Sequence, residues 1–451
     1  MTPTFLIKTS DWQINHALRI ALGDFYGNIV PFQAGLLDAA VPCVNAGLWY
    51  DNPWTRDAAI NTWNAAGMIV PEAARNTLLS ALNPDTEGRL MIRGQYWDKI
   101  IWTTGAWRLY LSTADRDFLE LAFDASRNTL AQLETDVFDV DYGLFRGEAC
   151  FHDGISAYPD RFVRYMVESH KHRLEEQACC NDPDVYVPDE GCPIGSDIPY
   201  FTLSTNSLYF NAYRVLEHMA GALDRPIDPE WTRKAEVLRR RINDAFWNEE
   251  CGHYRYLVDT DGGDERQDAL GNAFAVLFGV ADPAKTARLM ESQPTTPQGV
   301  PCIWPTFDRF KAAGEHEYGT HSGTVWPMVQ GFWCQAAAVA GRVELAKAEI
   351  DAWTANIRRD NQCEEMYHPE TGVSYGGFND TVEGGIHPHG SGSRQTWSAT
   401  GYLGVFLHAF VGMRFDGEEI RCEQCLPEGL DWIEVTGLWH RGRFMNLRVE
   451  K

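Results

Sequence analysis

One stretch limits the fold more than any other: SGTVWPMVQGFWCQAAAVAG, residues 322–341. Val325, Met328, Val329, Phe332, Ala336, Ala337 and Val339 recur at three- and four-residue steps, while Trp326, Trp333 and Ala338 fill the remaining faces. A helix apolar on nearly every face must be covered on nearly every side. WTRKAEVLRRRINDAFW (231–247) is the opposite case, with a charged stripe that belongs on the outside. Periodicity predicts about twelve helices, near 11–24, 55–67, 70–82, 94–113, 115–133, 203–222, 229–246, 268–279, 283–292, 322–341, 342–358 and 394–413. Buried helices alternating with amphipathic ones predict two concentric rings, an all-α toroid. Asp115 stands before an apolar-periodic run, and Pro229 and Pro283 sit where a first helical turn tolerates proline.

A chain of 451 residues would ordinarily divide into two or three domains. A toroid grows by repeating a unit around a ring, so a single domain over 1–451 is expected. The irregular stretch 143–201 is long for a compact domain and reads as an ordered cover over a cleft. At the C-terminus, 426–451 reads as a small β appendage of two or three strands, with Gly437 and Gly442 as turn residues.

The formal charge of −24 argues against a nucleic-acid or anionic-membrane partner, because both need basic patches, so neither is expected. No apolar run approaches about 18 residues, and MTPTFLIKTSDWQ lacks the pattern of a secretory signal. The 11 cysteines are odd in number and scattered, which points to a reducing, cytoplasmic compartment. Cys422 and Cys425 form a lone C-x-x-C without a second pair. Cys179, Cys180 and Cys192 bracket the acidic loop NDPDVYVPDEG, which lacks the alternation of an EF-hand. Neither a metal nor a cofactor is expected.

The 16 tryptophans and 17 tyrosines exceed what a helical core requires, and many tryptophans stand beside polar residues. NPWTRD (52–57), GQYWDK (94–99), CIWPTFD (302–308), GTVWP (323–327) and RQTWSATGY (394–402) are such places. Sugars present apolar C–H faces ringed by hydroxyls, so aromatic platforms flanked by Asp, Arg and Gln suit them. The same rings would also fill wide gaps between helices. Glycoside hydrolysis needs two carboxyl groups, one protonated and one ionised. Asp57, Asp98, Asp153, Glu364, Glu365 and Glu383 occupy loops or helix starts in suitable company.

NPWTRDAAI, GLFRG with DGISAYP, GTVWPMVQGFW, EMYHPETG and QTWSATGYLG, in that order over about 45–415, resemble motifs of bacterial glycoside hydrolase family 63. The wider resemblance is to the mannosyl-oligosaccharide glucosidase and mannosylglycerate-hydrolase-like group. It implies an (α/α)6 barrel and an inverting mechanism. Matched position by position, it makes Asp153 the general acid and Glu365, at the head of EMYHPETG, the general base. Trp54, Arg56 and Asp57 would hold the terminal sugar. Around Asp153 the family's Glu-Ser-Gly-x-Asp-type run is replaced by EACFHD, a departure that bears on the substrate more than on the reaction.

Beside the resemblance, Asp153 lies between His152 and an Asp-Gly turn, and turn chemistry alone would also explain it. Glu365 directly follows Glu364, read as a solvated neighbour, and Glu383 in DTVEGGIHPHG is the rival base. Trp97, Asp98, Trp326, Gln395 and Trp397 are further candidate sugar contacts. The expected function is an inverting, exo-acting hydrolase of a terminal sugar, an α-glucoside or related small conjugate. His316, His321, His387 and His389 keep open a sugar epimerase or isomerase, and a non-catalytic carbohydrate-binding protein is a third reading.

Overall fold

The computed structural model describes residues 4–94, 96–152, 154–168, 198–416 and 419–451. Asp153 and the acidic loop around Cys179, Cys180 and Cys192 lie outside the described residues. The helices are α1 (Trp12–Gly27), α2 (Thr55–Asn61), α3 (Gly67–Ile69), α4 (Pro71–Leu79), α5 (Tyr96–Thr113), α6 (Arg116–Val137) and α7 (Leu203–Ala222). They continue with α8 (Pro229–Phe246), α9 (Ala269–Leu277), α10 (Pro283–Ser292), α11 (Pro327–Val339), α12 (Val343–Asp360) and α13 (Thr396–Gly404).

Six of them close a ring. α2 packs on α5, α5 on α7, α7 on α9, α9 on α11, α11 on α13, and α13 returns to α2. The amphipathic helices lie outside: α6 covers α5, α8 covers α7, α12 covers α11, and α1 covers α13. Burial follows this division. All but the last two residues of α11 are buried, whereas α8 buries only Ala235, Leu238, Ile242 and Phe246.

Aspartate caps start α1, α6, α8 and α10. Asp11 accepts from the backbone of Gln13 and Ile14, Asp115 from Phe118, and Asp228 and Asp282 precede Pro229 and Pro283. Each cap satisfies helix N–H groups that otherwise lack partners. α11 starts at Pro327, not at 322. Residues 322–326 are not helical and Val325 bridges Tyr367, because proline fixes the first helical position and lacks an N–H to continue the helix backward. α13 passes into a π-helical turn, Val405–Phe410, and another, Thr62–Ala66, joins α2 to α3.

Aromatic side chains from α9, α11 and the π-helical turn after α2 pack together in the core. Trp63 packs edge-on against Phe332 at 4.7 Å and beside Phe274, which meets Phe332 at 5.3 Å. Such aromatic pairs each add about 0.5–1.5 kcal/mol beyond the area they bury.

The fold is mainly helical, with more strand than the C-terminal appendage alone. Trp432–His440 and Arg443–Glu450 form the expected hairpin, and the N-terminal strand Leu6–Thr9 adds to it as a third strand. Gly442 is at the turn, but Gly437 is within a strand at an irregularity between Val435 and Leu438. A second hairpin, Met413–Asp416 with Glu419–Cys422, precedes it. No helix among the described residues is long and apolar enough to cross a membrane.

Candidate active site

Trp54 stands at the N-cap of α2, Trp326 at that of α11 and Gln395 at that of α13, and none of these ends has a side-chain cap. All three residues line one cavity of about 300 Å³. Helix N-termini left open in this way offer backbone donors and a positive dipole end to a polar ligand. The cavity wall mixes aromatic rings with hydrogen-bonding groups.

Glu365 is the carboxylate on that wall. It is 5% exposed and, among the described residues, accepts three hydrogen bonds. Tyr50 Oη donates to its Oε1 at 2.8 Å, Gln395 Nε2 to Oε1 at 2.9 Å, and the Gly392 backbone to Oε2 at 3.1 Å. Donors to the charged form favour an ionised carboxylate, which is the state a base requires. Burial and the charge of Glu365 push the Tyr50 hydroxyl far above the ordinary tyrosine range, so it stays a donor.

Glu364 is not the solvated neighbour expected from sequence. It is 4% exposed, absent from the cavity wall, and engaged by Gln362 and Ser374. Burial raises its pKa. Glu383 is exposed, between the strands Phe378–Asp380 and Ile386–Pro388, and does not line the cavity.

Arg56 and Asp57 also line the cavity. The Arg56 guanidinium lies between two tryptophans, 5.1 Å from the Trp54 ring and 5.3 Å from Trp97. Its Nη1 is 3.5 Å from Asp98 and its Nε 3.9 Å from Asp57. Trp97 and Asp98 are fully buried and are not on the cavity wall; they hold Arg56 from behind. Trp397 is on the wall, and its indole N–H is buried without a partner among the described residues. Trp326 meets Trp397 at 5.9 Å and Phe151 at 5.0 Å, both edge-on.

Several wall residues were not singled out in the sequence: Tyr50, Phe151, Thr320, Met366 and Asn379. Tyr50 lies beside NPWTRD, but nothing local reveals that its hydroxyl reaches a carboxylate 315 positions away. Of the four histidines considered, His321 and His389 line the cavity; His316 pairs with Glu370 on the surface and His387 is exposed. His321 Nδ1 lies 3.0 Å from the Ser156 hydroxyl. His152 is fully buried, and burial together with His321 lowers its pKa well below the usual value, so it is neutral.

Residues 99–398, about two thirds of the chain, match the family described as the mannosylglycerate hydrolase MGH1-like glycoside hydrolase domain. The chain belongs to this family. The family is one of glycoside hydrolases, so the match favours hydrolysis over the isomerase and non-catalytic readings. Its fold is similar to a glycoside hydrolase family 63 mannosylglycerate hydrolase from Thermus thermophilus solved with glucose. That likeness has a TM-score of 0.59 at 17% identity, over 86% of this chain and 99% of that one. It is also similar to a family 78 rhamnosidase of a Bacillus species, with TM-score 0.64 and 16% identity over 99% of this chain. A sialidase structure matches with TM-score 0.70 and 12% identity over the whole chain. The MGH1-like enzyme spans 40% of that rhamnosidase and 38% of that sialidase. At such identities the likeness shows the fold. No curated protein sequence matches the chain.

Proposed function

We propose that this MGH1-like enzyme is an inverting, exo-acting glycoside hydrolase that removes a terminal sugar, an α-glucoside or a related small conjugate. The observation that carries the reading is Glu365, buried on the cavity wall and held by three donors beside tryptophans and an arginine. Glu365 is the base that takes a proton from water, and Asp153 is the acid that protonates the leaving oxygen. Supporting Asp153, its chain neighbours Phe151 and Gly154 both line the cavity that Glu365 lines. Trp54, Trp326 and Trp397 offer faces to the sugar, while Arg56, Asp57 and Gln395 take its hydroxyls. A cavity at the small end of the range for ligand pockets suits one sugar ring, which favours exo action.

The ring of α2, α5, α7, α9, α11 and α13, with outer helices packed around it, is read as an (α/α)6 toroid forming one domain over 1–451. Cys43, Cys150, Cys302, Cys334 and Cys363 are buried free thiols, which fits a cytoplasmic location.

The test is turnover of terminal alkyl glycosides, whose leaving oxygen needs a proton, by Glu365→Gln and Asp153→Asn. Each variant is expected to lose at least about 100-fold in kcat, the scale of general acid–base catalysis. Wild-type turnover by either variant on a hydrolysed alkyl glycoside would end its assignment.

A further inference from the structure

Residues 145–152, which lead into Asp153, make hydrogen bonds with one short sequence, TLSTN (202–206), at the start of the inner-ring helix α7. Asn206 takes both backbone groups of Phe145: its Oδ1 accepts from the N–H at 2.9 Å and its Nδ2 donates to the carbonyl at 3.0 Å. Thr202 donates to the carbonyls of Gly147 at 3.1 Å and Glu148 at 3.2 Å, and Thr205 donates to Glu148 at 2.7 Å. Ser204 accepts from the Cys150 N–H at 3.0 Å. These four side chains are fully buried.

Tyr158 closes the other side. Its hydroxyl accepts from the Ala149 N–H at 2.9 Å and donates to the His152 carbonyl at 2.8 Å, so one atom bridges the segment immediately before Asp153. Between those anchors Phe151 has φ of 59°, a left-handed conformation that is costly for a bulky aromatic residue. Beyond Asp153, Arg309 donates to the carbonyls of Ile155 at 3.1 Å and Tyr158 at 2.8 Å.

A buried loop needs partners for its backbone groups, but a helix or sheet would supply them from backbone. Here side chains supply many of them, beside the backbone bonds made by Arg146, Gly147 and His152, and the strained Phe151 among them lies on the cavity wall. We infer that Tyr158 and the hydroxyls of TLSTN are positioning residues for the general acid, fixing the described backbone that flanks Asp153. This rests on Asp153 being the acid of the proposed reaction. Displacing a catalytic group by about 1 Å costs on the order of 100-fold, so the contribution of such a frame is kinetic as well as structural.

The test compares two glycosides of one terminal sugar. An alkyl glycoside leaves as an alkoxide and needs the acid's proton; a dinitrophenyl glycoside leaves as a stabilised phenolate and does not. Asp153→Asn should lose turnover on the alkyl glycoside and keep most of it on the dinitrophenyl glycoside. Tyr158→Phe should show the same split, losing about 10–100-fold in kcat/KM on the alkyl glycoside alone. Ser204→Ala should follow in the same direction, and it carries the comparison if Tyr158→Phe does not fold by circular dichroism. Equal losses on both substrates, or no loss, in the positioning variants would overturn the inference while Asp153→Asn shows the split. If Asp153→Asn shows no split, the acid assignment fails and the inference fails with it.

Discussion

Replacing Tyr50 by phenylalanine removes one hydroxyl and leaves the ring in place. In the structure that hydroxyl donates to Glu365 Oε1 at 2.8 Å, one of three donors on the carboxylate. A hydrogen bond to a charged group contributes about 1.5–3 kcal/mol. One pKa unit corresponds to about 1.36 kcal/mol, so losing the donor destabilises the ionised base by about one to two units. The base works only when ionised, so activity is present above the acid limb and lost as pH falls through it. Tyr50→Phe therefore moves the acid limb of the kcat/KM profile upward by about one to two pH units. The assay is initial rate against pH for wild type and variant on one glycoside, with the thermal midpoint as a folding control. An unmoved acid limb in a folded, active variant would refute the account of how Glu365 is kept ionised.

Further outcomes are expected. Trp397→Phe keeps an aromatic face, though a smaller one, and removes an indole N–H without a partner among the described residues, so a substrate hydroxyl loses its donor. It should lower kcat/KM by about 2–10-fold with little change in the thermal midpoint. Glu383→Gln should leave kcat unchanged, because the side chain is exposed and off the cavity wall; a loss of 100-fold, on the order of general base catalysis, would move the base there. Glu349, bonded by Gln330 and the Val300 N–H, is fully buried, and burial raises its pKa from 4.5 to about 7. Because the folded state holds this proton more tightly than the unfolded one, stability falls as pH rises between those values. Glu349→Gln should flatten the fall of the thermal midpoint between about pH 5 and about pH 8, and an unchanged slope would contradict it.

The helices were legible because their signals are local. The apolar steps of 322–341 and the charged stripe of 231–247 sorted α11 inside and α8 outside, and Asp115, Pro229 and Pro283 marked true starts. The start of α11 was misplaced because apolar periodicity runs on through Val325, while proline chemistry at Pro327 decides the boundary. Glu365 and the NPWTRD residues were legible as polar groups beside tryptophans, and the cavity gathers them. The division of labour within those motifs was not. Arg56 reaches the wall while Trp97 and Asp98 sit behind it, a distinction set by which helix packs on which. Tyr50 and the TLSTN side chains were invisible because their partners are tens to hundreds of positions away. A hydroxyl in a sequence shows that it can donate; only the fold shows to what.

The central claim is that Glu365 directs water to the face of the sugar opposite the leaving group. Proton NMR of the sugar released in the first minutes of hydrolysis, before mutarotation, tests it most directly. The account predicts that the first-formed sugar has the anomeric configuration opposite to that of the substrate. A first product with the substrate's own configuration would contradict it.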